Sequence, residues 1–216
     1  MRFFLVILVL LLSGCASSAL QTRAKDLAAS KVAYDKATVC CSSFSEIKYE
    51  SLKEKGQNKL VVGKQFQAFE FEEGKSFFRA VELPNLGYEY SLNVETWQTD
   101  TAGFASSLLS VHYLEPTLLF LDENFNVVKK LSDLNLRYGS WFSTSGWEAD
   151  IAINGILTQS RYLIIYTNPA VVGSSNVATP GDLTIMAGGT FVSVPVADQG
   201  IPANYEGIIN IEVNKI

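Results

Sequence analysis

From Leu60 to the C-terminus, apolar and polar residues exchange places in short runs, each soon stopped by Gly, Pro, Asn or Asp. A period of two sends successive side chains to opposite faces of a strand. Tyr88, Tyr90, Leu92 and Val94 fall on one face of a segment that ends at Trp97, and Glu89, Ser91, Asn93 and Glu95 fall on the other. Gln65 to Phe71 alternates as well, Glu72-Glu73-Gly74-Lys75 reads as a turn, and Ser76 to Leu83 is the next strand, stopped by Pro84-Asn85. Thr117 to Leu121 is apolar throughout, the pattern of a central strand covered on both faces. Asp122-Glu123-Asn124 turns the chain into Phe125 to Leu131, so the two segments form a hairpin. Further strands are expected at Trp147 to Ile153, Arg161 to Thr167, Leu183 to Met186, Thr190 to Val196 and Gly207 to Val213. The last alternates Ile209, Ile211 and Val213 with Asn210 and Glu212, and should close one sheet with a wet outer face. Many short strands, uneven connections and almost no helical period indicate an all-β fold: a β-sandwich, jelly-roll-like.

The first sixty residues have a different texture. Arg2 precedes an unbroken apolar run from Phe3 to Leu12, too short for the roughly 20 residues that cross a bilayer as a helix. Leu12-Ser13-Gly14-Cys15 follows it directly, with small residues to fit a signal peptidase and a thiol to take a lipid. The expected organisation is a signal peptide at 1–14, a tether at 15–22 that begins with lipidated Cys15, a helical and connecting segment at 23–59, and a sandwich at 60–216. Several acyl chains on one residue anchor stably, because each buried methylene contributes about 0.8 kcal/mol. Ala16, where inner-membrane lipoproteins of Gram-negative bacteria carry Asp, favours the outer membrane, with the domain facing the periplasm. Ala24, Leu27, Ala28, Val32 and Ala33 recur near helical spacing among Lys, Arg and Asp, which predicts a short helix over 22–36. The charged stretch Lys53 to Lys59, with Gly56, suits an exposed loop.

Without its leader the chain has about 200 residues, enough for one sizeable core. A net charge of −5 with no block of Lys or Arg excludes the clustered cations that nucleic acid or anionic headgroups require. The lipid is therefore the only membrane contact expected. Beyond Cys15 the cysteines are the neighbours Cys40 and Cys41. An oxidising compartment invites a disulfide, but adjacent Cα atoms lie about 3.8 Å apart, inside the usual bridging range. A strained vicinal disulfide, two buried thiols and a link to another chain all remain open. A single histidine and the absence of Cys-x-x-Cys argue against structural zinc, and no cofactor is expected.

From the cysteine pair onward the chain resembles the maltose operon periplasmic protein family. The matching stretches are Cys40-Cys41-Ser42-Ser43-Phe44, Gly74-Lys75-Ser76-Phe77-Phe78-Arg79-Ala80 and Pro116-Thr117-Leu118-Leu119-Phe120-Leu121-Asp122-Glu123-Asn124-Phe125. Tyr162-Leu163-Ile164-Ile165-Tyr166-Thr167 and Glu206-Gly207-Ile208-Ile209-Asn210-Ile211 complete the set. The resemblance implies a periplasmic accessory of maltose or maltodextrin uptake. It brings no catalytic residues.

Individual constellations point away from catalysis. Gly74-Lys75-Ser76 would end a phosphate loop only if a glycine stood at Phe69 and a helix followed. His112 is the sole histidine, sits among Val111, Tyr113 and Leu114, and has no Gly-x-Ser-x-Gly elbow to serve. Asp122-x-Asn124-x-Asn126 opens like a calcium loop, yet Val127 stands at the sixth position and Asp133 at the twelfth; a plain Asx turn accounts for it. Arg79 should lie at a sheet edge or pair with Glu82 or Glu95. Sugar binding is the livelier chemistry, since aromatic faces stack on sugar rings while amides and carboxylates bond their hydroxyls. Trp97 shares the polar face of its strand with Glu95 and Asn93 and is the candidate platform; Trp147, in step with Ala149 and Ile151, belongs to the core, and Trp141 is undecided. The expected function is a non-enzymatic, lipid-anchored accessory of carbohydrate transport that binds maltodextrin or an envelope transport component. The alternative is an envelope structural or protein-docking module without sugar binding.

Overall fold

The computed structural model describes residues 24–97, 112–138, 147–151, 155–178, 183–187, 190–194 and 199–216. The lipidation candidate Cys15, Trp141 and the side chain of Trp97 lie outside the described residues. The first sheet contains β1 (Glu50–Ser51), β3 (Ala68–Phe71), β4 (Gly74–Glu82), β6 (Pro116–Leu121), β7 (Val127–Leu131) and β10 (Tyr162–Thr167). Its order is β1-β4-β10-β6-β7, with β3 also paired to β4. The second sheet, in the order β2-β15-β5-β9-β8, contains β2 (Gln57–Val62), β5 (Tyr90–Trp97), β8 (Arg137–Tyr138), β9 (Trp147–Ile151) and β15 (Gly207–Lys215). Two small antiparallel pairs stand apart, β11 (Ser175–Ala178) with β14 (Gln199–Pro202), and β12 (Leu183–Ala187) with β13 (Thr190–Val194). The chain crosses from sheet to sheet between β4 and β5, β5 and β6, and β9 and β10, which makes the protein an all-β sandwich.

Period-two patterning joins the sheets. Leu92, Val94, Ile209 and Ile211 of the second sheet meet Phe77, Leu118, Phe120, Leu163 and Ile165 of the first in one buried cluster. β6 and β10 are also buried on their other face. There Leu119, Leu121, Ile164 and Tyr166 join Phe69, Phe71 and Phe78 in a second, largely aromatic layer. The rings of Phe71 and Tyr166 stack at 3.8 Å between centroids with 2° between their planes. This double burial is why both strands read as unbroken apolar runs. The aromatic layer is covered by the connecting segment: Ile47 is buried in it, and Cys41, Phe44 and Tyr49 pack against it. The segment is stitched to edge strand β3 by the Cys40 N–H, which donates to the Ala68 carbonyl at 2.9 Å. At that stitch Cys40 and Cys41 form a vicinal disulfide.

A helix spans residues 24–36. It is held by Ser30, whose hydroxyl donates to Glu206 at 3.0 Å, and by Tyr34, stacked on Tyr205 at 4.3 Å. The Lys75 ammonium donates to the carbonyls of Asp35 and Ala37, which lets it act as a C-terminal cap.

Several expectations change. β2 begins at Gln57, so the last three residues of the supposed loop 53–59 are strand; the Asn58 amide is buried and donates to Ile211. β3 is shorter than the alternating run, and Ala68 and Phe69 are both buried because its two faces meet different apolar layers. β15 lies between β2 and β5 instead of closing the sheet, and Asn210 is buried, so the outer face is not wet there. Arg79 pairs with Glu50 at 2.5 Å, while Glu82 pairs with Arg161. The short strands β1, β8, β11 and β14 and the helix Ile156–Gln159 carry too few residues for a periodic signal.

Phe120 is fully buried between the sheets. Phe120→Ala is expected to destabilise the fold by about 3–5 kcal/mol, through lost transfer energy and the cavity left behind. Urea unfolding followed by fluorescence measures this as a lower midpoint at unchanged slope.

Candidate functional site

Three connections converge at one end of the sandwich. β4 stops at Glu82, and the loop of Pro84, Asn85 and Gly87 carries the chain to β5 at Tyr90. β6 stops at Leu121 ahead of the Asp122 turn, and the helix Ile156–Gln159 leads into β10 at Tyr162. Backbone bonds tie these connections together. The Leu83 N–H donates to the Arg161 carbonyl at 2.9 Å, and the Arg161 N–H donates to the Leu121 carbonyl at 2.7 Å. The C-terminus joins them, with the Ile216 N–H donating to the Glu89 carbonyl at 3.3 Å.

Between them lies a cleft of about 760 Å³, a size that suits a small ligand. One wall is Asn85, Tyr88 and Glu89, the second is the 122–124 turn, and the third is Thr158, Gln159 and Arg161. Tyr88 is 46% exposed and is an aromatic side chain of this wall, with the Lys215 ammonium over its ring at 5.3 Å from the centroid. Tyr90, beneath it, is buried; its hydroxyl donates to the Pro84 carbonyl at 3.3 Å, and burial pushes its pKa up to about 12. It therefore acts as a neutral brace for the loop. The Arg161 guanidinium is engaged by Glu82, and the carboxylates of Glu89, Asp122 and Glu123 make the lining acidic.

The 122–126 turn is built by one carboxylate. Asp122 accepts from the Asn124 N–H at 2.8 Å, the Asn126 N–H at 2.8 Å and the Asn126 side-chain amide at 3.0 Å. The Asn126 side-chain bond, and then the Asn126 and Asn124 backbone bonds, hold its pKa below the ordinary value. The Asx turn accounts for the calcium-like spacing, because the turn itself occupies the Asp122 oxygens. Phe125 follows at φ +63°, unusual for a bulky residue, and its ring stacks on Tyr162 at 4.8 Å. An exposed ring face flanked by amides, hydroxyls and carboxylates can stack on a pyranose and bond its hydroxyls.

The residues expected to bind sugar lie elsewhere. β5 runs from Tyr90 beside the cleft to Trp97 at the opposite end, roughly 23 Å away at about 3.3 Å per residue. Glu95 is 9% exposed and accepts from the Asn210 amide at 3.5 Å, so it does not lie on the open polar face that alternation suggests. Asn93 donates to Asp150 across the strands at 2.8 Å. His112 is buried with its Nε2 3.9 Å from the Asp26 carboxylate, and it does not line the cleft. Lys75 caps the helix, and the Ser76 hydroxyl bonds Thr167 inside the protein, so both residues of the phosphate-loop fragment are structural. Among the described residues, no group of three or more His, Cys, Asp or Glu is placed to hold a metal. Sequence reasoning missed Tyr88 by extending β5 to include it; the Asn85 and Gly87 turn signals just ahead are what set it outside the strand.

Comparison with family models, with curated proteins and with solved structures finds no match.

The Asp122 contribution has a definite sign with pH. A carboxyl held low in the fold stabilises the turn above the ordinary Asp value, and that stabilisation is lost as pH falls through the lowered folded value. NMR amide shifts of Asn124 and Asn126 should stay native down to about pH 3.9, the ordinary Asp value, and change only below it. Asp122→Ala should displace both at neutral pH.

Proposed function

We propose that this protein is a non-enzymatic, lipid-anchored periplasmic accessory of carbohydrate uptake, which holds a maltodextrin-like oligosaccharide in the cleft at the end of its sandwich. One observation carries the reading: Tyr88 is an exposed aromatic side chain on the wall of a cleft of about 760 Å³, with Asn85 and Gln159 within its lining. Ring stacking and hydroxyl bonding are the two halves of sugar recognition, and the lining offers side chains suited to each. Support from the sequence comes from the apolar leader ending in Leu12-Ser13-Gly14-Cys15 and from the resemblance to the maltose operon periplasmic proteins. The anchor would place the domain on the periplasmic side of the outer membrane. The cleft would present bound oligosaccharide to a transport component without altering it.

Titration calorimetry of the mature protein with maltodextrins should show saturable binding. Tyr88→Ala should weaken it roughly tenfold, about 1.4 kcal/mol, through loss of the stacking face. Asn93→Ala should leave it unchanged. No heat with the folded protein contradicts sugar binding and leaves protein docking as the role of the domain.

A further inference from the structure

The contacts of the helix at 24–36 fall at one end of the sandwich. Tyr34 stacks on Tyr205 and touches the edge of Phe77, Ser30 donates to Glu206, and Lys75 caps the helix C-terminus. Asp26, in its first described turn, lies 3.9 Å from His112. In the sheets, Tyr205 and Glu206 directly precede Gly207, which starts β15, and Lys75 and Phe77 belong to the first half of β4. The register pairs Gly207 with Val62 and Ile208 with Trp97 at this same end. The cleft is built from the opposite strand ends: Tyr90 pairs with Lys215, and Tyr162 pairs with both Glu82 and Leu121. Helix and cleft therefore stand at opposite poles, separated by the length of β5, roughly 23 Å at about 3.3 Å per residue.

The polarity matters because of what precedes the helix. From Cys15 to residue 24 the chain spans at most about 30 Å even when fully extended. A lipid on Cys15 keeps the helix-bearing pole within that distance of the bilayer. Several bonds hold the helix: the Ser30 hydroxyl and the Lys64 N–H both donate to Glu206, and two rings stack across the contact. The chain from Cys15 therefore enters the sandwich at this one pole, and its short reach keeps that pole the nearer of the two to the bilayer.

We infer that the pole carrying the helix at 24–36 faces the lipid surface and that the cleft beside Tyr88 opens away from it, toward the aqueous space and any partner there. The inference rests on the anchor reading and is independent of what the cleft binds. The lipid bilayer is the partner of the helix pole. No anionic lipid is required, since the link is the acyl chain itself.

The test uses the full lipidated chain, purified from membranes and reconstituted into phosphatidylcholine vesicles that carry a lipid-phase fluorescence quencher. Single fluorophores go on Lys64→Cys at the helix pole and on Asn85→Cys at the cleft pole, both exposed positions. The disulfide at Cys40 and Cys41 takes no thiol label. The label at 64 should lose more of its emission to the lipid quencher than the label at 85, which stays open to aqueous iodide. Equal quenching at the two sites, or the reverse pattern, in protein whose Cys15 carries acyl chains by mass spectrometry overturns the orientation alone. Absence of acyl chains on Cys15 overturns the anchor reading and the orientation with it. Glu206→Ala should narrow the difference between the two labels; an unchanged difference would contradict the role given to the helix contact.

Discussion

β6 and β10 are buried on both faces, and much of the molecule follows from that. A sheet whose central strands carry Leu118, Phe120, Leu163 and Ile165 on one side and Leu119, Leu121, Ile164 and Tyr166 on the other cannot leave either side to water. Each large apolar side chain left wet would forgo about 1.5–3 kcal/mol. The second sheet covers the first face. The other is closed by the connecting segment, through Phe44, Ile47 and Tyr49, before the chain enters its first long strands. The cysteine pair sits where that cover is stitched to edge strand β3, with Cys40 exposed and Cys41 against the aromatic layer.

With both faces of one sheet closed, the two ends of the sandwich offer the rest of the molecule room to differ. One end is capped by the helix at 24–36. The other gathers the 83–89 loop, the 122–126 turn and the 155–161 connection into a cleft. The three walls are positioned by the strands they leave, since Leu83, Arg161 and Leu121 are joined through consecutive backbone hydrogen bonds. Side chains on the walls are then free to be chosen for chemistry. Tyr88 shows this: it contributes little to the core, whereas Tyr90 two residues later is spent on bracing the loop.

Much of this architecture was legible from alternation alone. The hairpin across Asp122-Glu123-Asn124, the double-sided burial of 117–121, and the core placing of Trp147 follow from periods and turn chemistry, which are local properties. The cleft was not legible, because it depends on three loops distant in sequence meeting at one end. Alternation assigned Glu95 and Asn93 to a wet face, but it does not report what covers a sheet; Glu95 is nearly closed off beside Asn210. Strands of two residues, such as β1 and β8, show no period at all and exist only because a neighbour supplies their hydrogen bonds. The vicinal disulfide was one of three open readings, and adjacency in sequence does not choose among them.

The proposed role requires that an oligosaccharide contact the domain, and that it do so at the cleft beside Tyr88. Titrating the isotope-labelled mature protein with maltodextrin and mapping amide shifts by NMR reads this directly. Shifts centred on Asn85, Tyr88 and Gln159, with β5 quiet toward Asn93 and Glu95, are the predicted result. Shifts confined to the Asn93–Glu95 stretch, or none at saturating sugar, would contradict it.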